Sequence, residues 1–178
     1  MTVIKGGDKL RAELQRIAGE VKSAERVQIG FLEGATYPDG TPVAMIAAIQ
    51  NWGAPRAGIP PRPFFTDMIT EKSPEWGPAT AALLKENDYD AMATLSKVGE
   101  AVAGQLRESI IKTTTPPLSP ITLMIRKMKS EGATITRASL AIAAARLASG
   151  ESTGGVSTTP LRETGHLLNS VDYVVVKK

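Results

Sequence analysis

An amphipathic helix is predicted over residues 8–24, because apolar residues recur there every three or four positions with charged residues between them. These apolar residues are Leu10, Leu14, Ile17 and Val21. The period then changes to two, since residues 27, 29 and 31 are apolar and alternate with Gln28 and Gly30, which predicts a strand. The glycine inside this strand indicates a bulge or a close backbone approach.

A turn and a short helix follow the strand. Pro38-Asp39-Gly40 is typical of a turn because proline presets φ and glycine accepts a positive φ. Thr41 and Pro42 then predict the N-cap and the first residue of a helix, and Gly53 predicts its end. Three prolines within residues 59–63 exclude a helix before residue 64 and predict an extended, polyproline-like strip.

Helical patterns dominate the chain after this strip. We expect two helical pieces separated at Ser73-Pro74 and Gly77-Pro78, a long amphipathic helix, a further helix begun by Ser119-Pro120, and an alanine-rich stretch with weak periodicity. Their predicted ranges are 64–72, 78–86, 88–112, 120–129 and 136–149. Residues 150–160 are rich in Gly, Ser and Thr, which predicts a flexible loop, and Thr164-Gly165 predicts a short helical turn.

The predicted fold class is α+β, with a small, mainly antiparallel sheet packed against amphipathic helices and with the N- and C-terminal elements brought together. Residues 171–176 complete the sheet as a strand, and because they are apolar on both faces we expect a central, buried position. The helices over 8–24 and 88–112 are expected to cover the sheet. The chain of 178 residues is expected to form one domain, residues 1–178.

Several kinds of catalytic site lack their residues in this sequence. The chain has no cysteine and one histidine, His166, which excludes disulfides, thiol catalysis, Cys-ligated zinc and a His-rich metal site. No serine lies in a Gly-x-Ser-x-Gly elbow, and neither a GxGxxG fingerprint nor a phosphate loop is present. We therefore expect no enzyme activity, no metal and no cofactor, and a structural role for His166.

Hydropathy gives no indication of a membrane partner or of secretion. The longest apolar run falls far short of the ~20 residues that cross a bilayer. The first ten residues contain no apolar signal region, so we expect synthesis in the cytoplasm.

Positive charge is concentrated in the last third of the chain. Residues 113–178 carry eight Lys and Arg against four Asp and Glu, whereas residues 1–112 carry 13 against 14. A charge run most often forms a solvated helix face, but it can also meet phosphate. The alternative function is therefore a nucleic-acid-binding module that uses the basic 113–146 segment, with candidate contacts Arg126, Lys127, Lys129, Arg137 and Arg146.

Aromatic residues are few, yet four of the eight lie between residues 37 and 65. A proline-fixed strip loses little conformational entropy when it docks, and Trp, Arg and Phe often anchor interfaces. The candidate interface residues are Trp52, Ile59, Arg62, Phe64 and Phe65. The other interpretation is that the two phenylalanines fill the core of the protein itself while Arg62 pairs with a nearby carboxylate.

Two separated motifs resemble a known family. The first runs from Gly30-Phe31 through a Tyr-x-Asp-Gly turn and a Val-Ala-x-Ile-Ala helix to Trp52-Gly53 and Ile-Pro-x-Arg-Pro-Phe, and the second is Pro-Leu-x-x-Thr-Gly-x-Leu-x-x-Ser before the last strand. The matching positions outside these named pairs are Tyr37, Asp39, Gly40, Val43, Ala44, Ile46, Ala47, Ile59, Pro60, Arg62, Pro63, Phe64, Pro160, Leu161, Thr164, Gly165, Leu167 and Ser170. Together they resemble the tail-completion, or head–tail joining (neck), proteins of long-tailed bacteriophages, which are related to minor tail and virion morphogenesis proteins.

The resemblance implies a non-enzymatic structural virion protein that takes part in virion assembly as a ring, expected to be hexameric. The implied partners are the head connector or adaptor, the tail terminator or tail-tube proteins, and other copies of the chain. The implied location is the tail or neck of the virion, after synthesis in the cytoplasm of the host bacterium.

The segment 113–160 carries no motif of this family. Because hinge-like sequences bound it on both sides, we expect a flexible arm or an insertion within the domain. Such an arm would dock on an adjacent subunit or connector, or would line the channel and contact DNA without sequence preference.

Overall fold

The computed structural model describes residues 7–177, apart from the side chain of Glu25. The described chain is helical with one small sheet, and the predicted α+β class is confirmed. Its elements are α1 (Gly7–Val21), β1 (Ala24–Phe31), α2 (Val43–Trp52), α3 (Phe64–Glu86), α4 (Ala91–Lys112), α5 (Pro120–Ser130), α6 (Ser139–Ala148), α7 (His166–Asn169) and β2 (Val171–Lys177), with a 3-10 turn at Pro55–Ala57. No helix in this part of the chain combines the length and the apolar character that crossing a membrane requires.

The sheet pairs the two ends of the described chain. β1 and β2 run antiparallel, with Ile29 opposite Tyr173 and Phe31 opposite Val171. Along β2, Val171 is buried whereas Asp172 and Val174 are exposed. In the described residues β2 pairs with β1 alone, so the prediction of a central strand buried on both faces is wrong. A run of valines can occupy the solvent face of a two-stranded ribbon because single exposed apolar side chains are common on protein surfaces.

Contacts within the chain divide it into two compact units. Unit 1 comprises the described residues of Met1–Ala35, Phe65–Glu108 and Ser170–Lys178. Unit 2 comprises Thr36–Phe64 and Ser109–Asn169. The segment 113–160, expected as a flexible arm, folds within unit 2 together with residues 36–64. The single-domain organisation and the mobility of that segment stay predictions.

In unit 1, α3 and α4 pack on the sheet. A Cβ atom at Gly99 of α4 would lie 2.7 Å from Cγ of Tyr173 and 2.9 Å from Cγ2 of Val27, so this helix lies directly on both strands. The Phe65 ring covers Gly30, where an added Cβ would lie 3.5 Å from the ring. The neighbour of Gly30 is thus an aromatic side chain at ordinary van der Waals distance and not another backbone, and the irregularity in the strand pairing lies between residues 24 and 26, so the bulge or close backbone approach predicted at this glycine is wrong.

The apolar stripe of α1 is not buried. The side chains of Leu10 and Leu14 are 61% and 57% exposed, and no residue of the helix is buried. The helix is held by Arg16, which donates hydrogen bonds to Glu13 and to Oδ1 of Asp88 at 2.9 Å. The predicted helix is present, but the prediction that it covers the sheet with this stripe is wrong.

α3 is one helix of 23 residues, not the two pieces predicted. A proline within a helix removes one backbone N–H donor, which leaves one carbonyl without its helical hydrogen bond. Both prolines, Pro74 and Pro78, lie on the exposed side of α3, where water can satisfy these carbonyls. Trp76 between them donates from Nε1 to Oε1 of Gln105 on α4 at 2.8 Å. This tertiary bond holds the helix where its local propensity is weakest.

α4 begins at Ala91, later than predicted. Asp88 and Tyr89 have positive φ values of 53° and 66°, which are incompatible with a right-handed helix. Asp90 then caps the helix, because its Oδ1 accepts a hydrogen bond from the backbone N–H of Ala93 at 2.9 Å.

In unit 2, α5 packs on α6. Ser119 caps α5 by accepting from the backbone N–H of Thr122 at 3.2 Å, and Pro120 is the first helical residue, as the sequence predicts. Met124 and Met128 of α5 form a buried cluster with Ala143 of α6. The alanine-rich helix therefore has a narrow buried line of small residues, which is too weak to appear as apolar periodicity.

Candidate functional site

Unit 2 contains a groove of about 1150 Å³. Five parts of unit 2 line it: the turn at 37–41, the strip at 58–62, the segment 117–120, one face of α5 and the segment 160–169, with two side chains of α2. The groove therefore collects residues from both sequence motifs, although one motif ends at residue 64 and the other begins at residue 160.

The turn at one edge of the groove has the predicted chemistry. The N–H of Gly40, whose φ is 83°, donates to the carbonyl of Tyr37 at 2.9 Å, and Oδ1 of Asp39 accepts from the N–H of Thr41 at 2.9 Å. Hydrogen bonds from Thr41 lower the pKa of Asp39 below its ordinary value. The helix after the turn begins at Val43, one residue later than predicted, with Pro42 as its N-cap residue.

α7 holds this turn against the second motif. The ring centroids of Tyr37 and His166 lie 4.5 Å apart, and Nε2 of His166 is 2.9 Å from the carbonyl oxygen of Thr36. Burial, and then the charges of Glu163 and Asp39, raise the pKa of Tyr37. Sequence reasoning left His166 and Tyr37 without a shared role, because the contact joins positions that lie far apart in the chain.

The proline-fixed strip is tied back onto α2. Gly53 ends α2 with φ 76°, and residues 54 and 59 form an isolated antiparallel bridge. The N–H of Arg62 donates to the carbonyl of Gln50 at 2.8 Å. Its guanidinium donates from Nε to the carbonyl of Pro116 at 3.1 Å and from Nη1 to Oε1 of Gln50 at 3.2 Å. This arginine joins the strip, α2 and the segment before α5.

The structure divides the five candidate interface residues between surface and interior. Trp52 is 68% exposed, and Ile59 is half-buried on the groove wall. Arg62 and Phe64 are only 4% and 1% exposed, so Phe64 presents no surface to a partner, whereas Arg62 is recessed in the lining of the groove. Phe65 is half-buried over Gly30 in unit 1. The core interpretation thus describes Phe64, while the hydrogen bonds of Arg62 run to carbonyl oxygens and not to the carboxylate that this interpretation expected.

Arg126 of α5 is the second buried arginine of the groove, with 8% exposure. Its Nη1 donates to the carbonyls of Ser157 and Thr159 at 2.6 and 2.9 Å, and its Nη2 donates to the carbonyl of Pro160 at 3.1 Å. Its Nε makes no hydrogen bond and lies 3.8 Å from Oε2 of Glu163. Burial lowers the pKa of this guanidinium, against the opposing effect of Glu163. The residue fixes the Gly/Ser/Thr loop to α5.

Most other residues of the basic segment are paired with carboxylates. Nζ of Lys127 lies 2.8 Å from Glu151, and Nζ of Lys129 lies 3.2 Å from Glu163. Arg146 pairs with Glu131 at 2.9 Å and with Glu151. Arg137 is exposed. These ion pairs neutralise much of the charge that the alternative, nucleic-acid function would use. Sequence reasoning missed Glu131, Glu151 and Glu163 because each lies far along the chain from at least one of its partners.

The ion pairs at Glu151 predict a pH dependence. Hydrogen bonds from Arg146 first, and then from Lys127, lower the pKa of Glu151 from 4.5 to about 2. Because the folded-state pKa is depressed, the stabilisation is complete above about pH 4.5 and is lost as the pH falls towards 2. Thermal unfolding followed from pH 7 to pH 2 should give a higher Tm for wild type than for Glu151→Gln at neutral pH. This difference in Tm should disappear as the pH falls from about 4.5 towards 2. The exposed Glu33→Gln control should show no such closing, and a difference for Glu151→Gln that persists unchanged to pH 2 would contradict the assignment.

Comparison with other proteins does not extend this description: no family model, no curated protein and no solved structure matches the chain. Within residues 7–177 no group of three or more His, Cys, Asp or Glu side chains is arranged to hold a metal ion. The groove is thus the feature of unit 2 on which both sequence motifs converge, and its chemistry is that of arginines, carbonyls, prolines and apolar walls.

Proposed function

We propose that the chain is a non-enzymatic structural protein of a bacteriophage virion, which completes the tail or joins it to the head connector as a ring of copies. The observation that carries this proposal is the meeting of the two family-like motifs. The Tyr-x-Asp-Gly turn contacts the Thr-Gly-His turn through Tyr37 and His166, and residues of both motifs line one groove. Motifs that resemble one family and also pack together support a single structural role better than two chance resemblances.

Two features of unit 2, a fixed extended strip and an exposed tryptophan, suit assembly on a template. Prolines and the buried Arg62 hold the strip at 59–63 in one conformation before any partner is present, which reduces the entropy lost on docking. Beside this strip, Trp52 leaves most of its large ring in solvent. A ring requires heterologous contacts that close, so the surface around Trp52 would meet a different surface of the next copy or of the connector. The partners proposed are the connector or adaptor, the tail terminator or tube, and other copies.

The test is removal of the protein from the phage that encodes it. An amber mutation in this reading frame, grown in a non-suppressing host, should give filled heads and separate tails by electron microscopy, because only their joining needs the protein. Wild-type protein supplied from a plasmid should restore intact virions. Intact infectious particles without the protein would overturn the proposal. Binding of the purified protein to random duplex DNA with a steep salt dependence would support the nucleic-acid alternative instead.

A matched pair of plasmid variants sharpens the same experiment. Trp52→Ala should restore plaques poorly, with a titre at least about tenfold lower than that of the wild-type plasmid. The reason is that an exposed tryptophan at the centre of an interface carries a large share of the binding energy. Val174→Ala removes an exposed apolar residue from β2 in unit 1 and should complement normally. Equal complementation by the two variants would show that Trp52 does not take part in assembly.

A further inference from the structure

We propose that the groove of unit 2 binds an extended, largely apolar segment of another protein and holds one carboxylate of that segment between Arg62 and Arg126. The inference concerns the chemistry of the groove and does not depend on the virion assignment.

The floor of the groove carries two buried positive charges. Arg62 and Arg126 both line it, and both are more than nine-tenths buried. The hydrogen bonds of Arg62 end on Gln50 and on the carbonyls of Pro116 and Pro117, all of which are neutral. Those of Arg126 end on three backbone carbonyls. Two buried cations whose hydrogen bonds all end on neutral acceptors cost free energy unless an anion lies close to them, and Glu163 at 3.8 Å from Arg126 supplies this only in part.

The nearest carboxylate, that of Glu163, does not complete the site. Glu163 stands 3.8 Å from Nε of Arg126, too far for a hydrogen bond, and it also pairs with Nζ of Lys129 at 3.2 Å. The Nε–H of Arg126 is therefore a buried donor that hydrogen-bonds to nothing within the described chain. Burial lowers the pKa of both guanidiniums, and the charge of Arg126 lowers the pKa of Arg62 further. A bound carboxylate would receive this donor and balance the second charge.

The shape and lining of the groove suit an extended peptide segment. A volume of about 1150 Å³ exceeds the ~300–1,000 Å³ of a usual small-molecule pocket, so the groove has room for several residues of an extended chain. Its walls mix polar side chains with aliphatic residues and prolines, and the latter include Ile46, Ile59, Pro60, Leu118, Pro120 and Leu161. Proline-rich walls accept extended peptides through side-chain packing and not through strand pairing. The favoured occupant is an extended segment with apolar residues on both sides of one Asp or Glu.

The same features disfavour nucleic acid as the occupant. The phosphates of a duplex lie on a wide rod and are contacted by cations that protrude from a surface. Here the two guanidiniums are recessed, and Lys129, an exposed cation of the lining, already pairs with Glu163. The carboxylates of Asp39 and Glu163 also line the groove, where they would repel a polyanion. A single carboxylate on a flexible chain can reach a recessed cation without bringing further negative charge to these two acidic residues.

The test begins with selection of ligands by the intact protein. A displayed library of random 12-residue peptides is selected on the wild-type chain, and enriched peptides are expected to share one Asp or Glu flanked by apolar residues or proline. For the strongest peptide, replacing that residue by its amide should weaken binding by at least about tenfold, the effect of losing a charge-assisted hydrogen bond. No enrichment, or enriched peptides that bind equally well as amides, would overturn the proposal.

The position of binding is read from arginine side chains in ¹⁵N-labelled protein. The Nε–H resonance of Arg126 should shift on addition of the selected peptide, whereas that of Arg137, which is exposed and does not line the groove, should not. Because the measurement uses wild-type protein, it does not depend on the folding of an arginine variant. An unshifted Arg126 resonance would place the peptide elsewhere and reject the groove.

Two competitors distinguish a peptide site from a site for small anions or for nucleic acid. Inorganic phosphate that shifts the Arg126 resonance and displaces the peptide at low millimolar concentration would show a site for small anions, and a 20-base-pair duplex that does so would show a nucleic-acid site. Either result contradicts the proposal, and failure of both competitors supports it. The amber phage experiment is independent of all these measurements, so either proposal can fail while the other holds.

Discussion

Phe64→Ala is expected to lower the free energy of unfolding by about 3–5 kcal/mol, because the ring is one of the largest fully buried side chains and its removal leaves a cavity. The backbone at this position is also fixed, since its carbonyl accepts a hydrogen bond from Oγ of Ser109 at 2.6 Å. The surrounding residues therefore have little freedom to collapse into the space. Urea unfolding followed by circular dichroism measures the change directly.

Trp52→Ala is the matched control for this prediction. The tryptophan is the larger side chain and lies in the same sequence motif, but at 68% exposure its loss should change stability by no more than about 0.5 kcal/mol. Side-chain size alone would predict a larger loss of stability for Trp52→Ala than for Phe64→Ala. A stable Phe64→Ala protein beside a strongly destabilised Trp52→Ala protein would refute the burial assigned to both residues.

Gly53→Ala should destabilise unit 2 by about 3–5 kcal/mol, through backbone strain and steric overlap together. At φ 76° and ψ 173° the residue occupies a region of conformation that is almost restricted to glycine. An added Cβ would lie 2.8 Å from the nitrogen of Pro61 and 2.9 Å from the carbonyl oxygen of Ile59. These are backbone atoms, so no side-chain rotation relieves the overlap, and the strip that carries Arg62 would have to move.

Gly58→Ala separates the effect of backbone strain from that of steric overlap. This glycine also has a positive φ, 67°, but its conformation is left-handed helical and no atom lies within 4 Å of an added Cβ. Strain alone should cost about 1 kcal/mol here. Equal losses of stability for the two variants, measured by thermal unfolding, would show that the contact between Gly53 and the strip contributes nothing.

Local patterns in the sequence predicted much of the fold. The turn at residues 38–40, the capping of α5 by Ser119 and Pro120, the end of α2 at Gly53 and the α7 turn at Gly165 all depend on neighbours within a few positions, and each is present. The antiparallel pairing of the chain's two ends was also expected, because only those segments have strand patterns.

The predictions were wrong where contacts between residues far apart in the sequence determine the structure. The prolines at 74 and 78 predict a break in α3, but the tertiary hydrogen bond from Trp76 to Gln105 supports a continuous helix. The spacing of the apolar stripe of α1 predicts a helix that covers the sheet, although spacing alone does not supply a surface to bury the stripe. The groove itself was not predicted at all, since its floor is formed by Arg62 and Arg126, which are joined only by the folded chain.

The pairing of β1 with β2 has a consequence for how the protein is made. The two strands are separated by residues 32–170, so β1 leaves the ribosome long before its partner has been synthesised. Every residue of unit 2 lies between them in the sequence and is therefore translated before β2. Closing so long a loop is slow because its entropy is lost before the strand contacts form. Newly made chains would therefore depend longest on protection of the β1 edge, which lacks its partner until residues 171–177 have been translated.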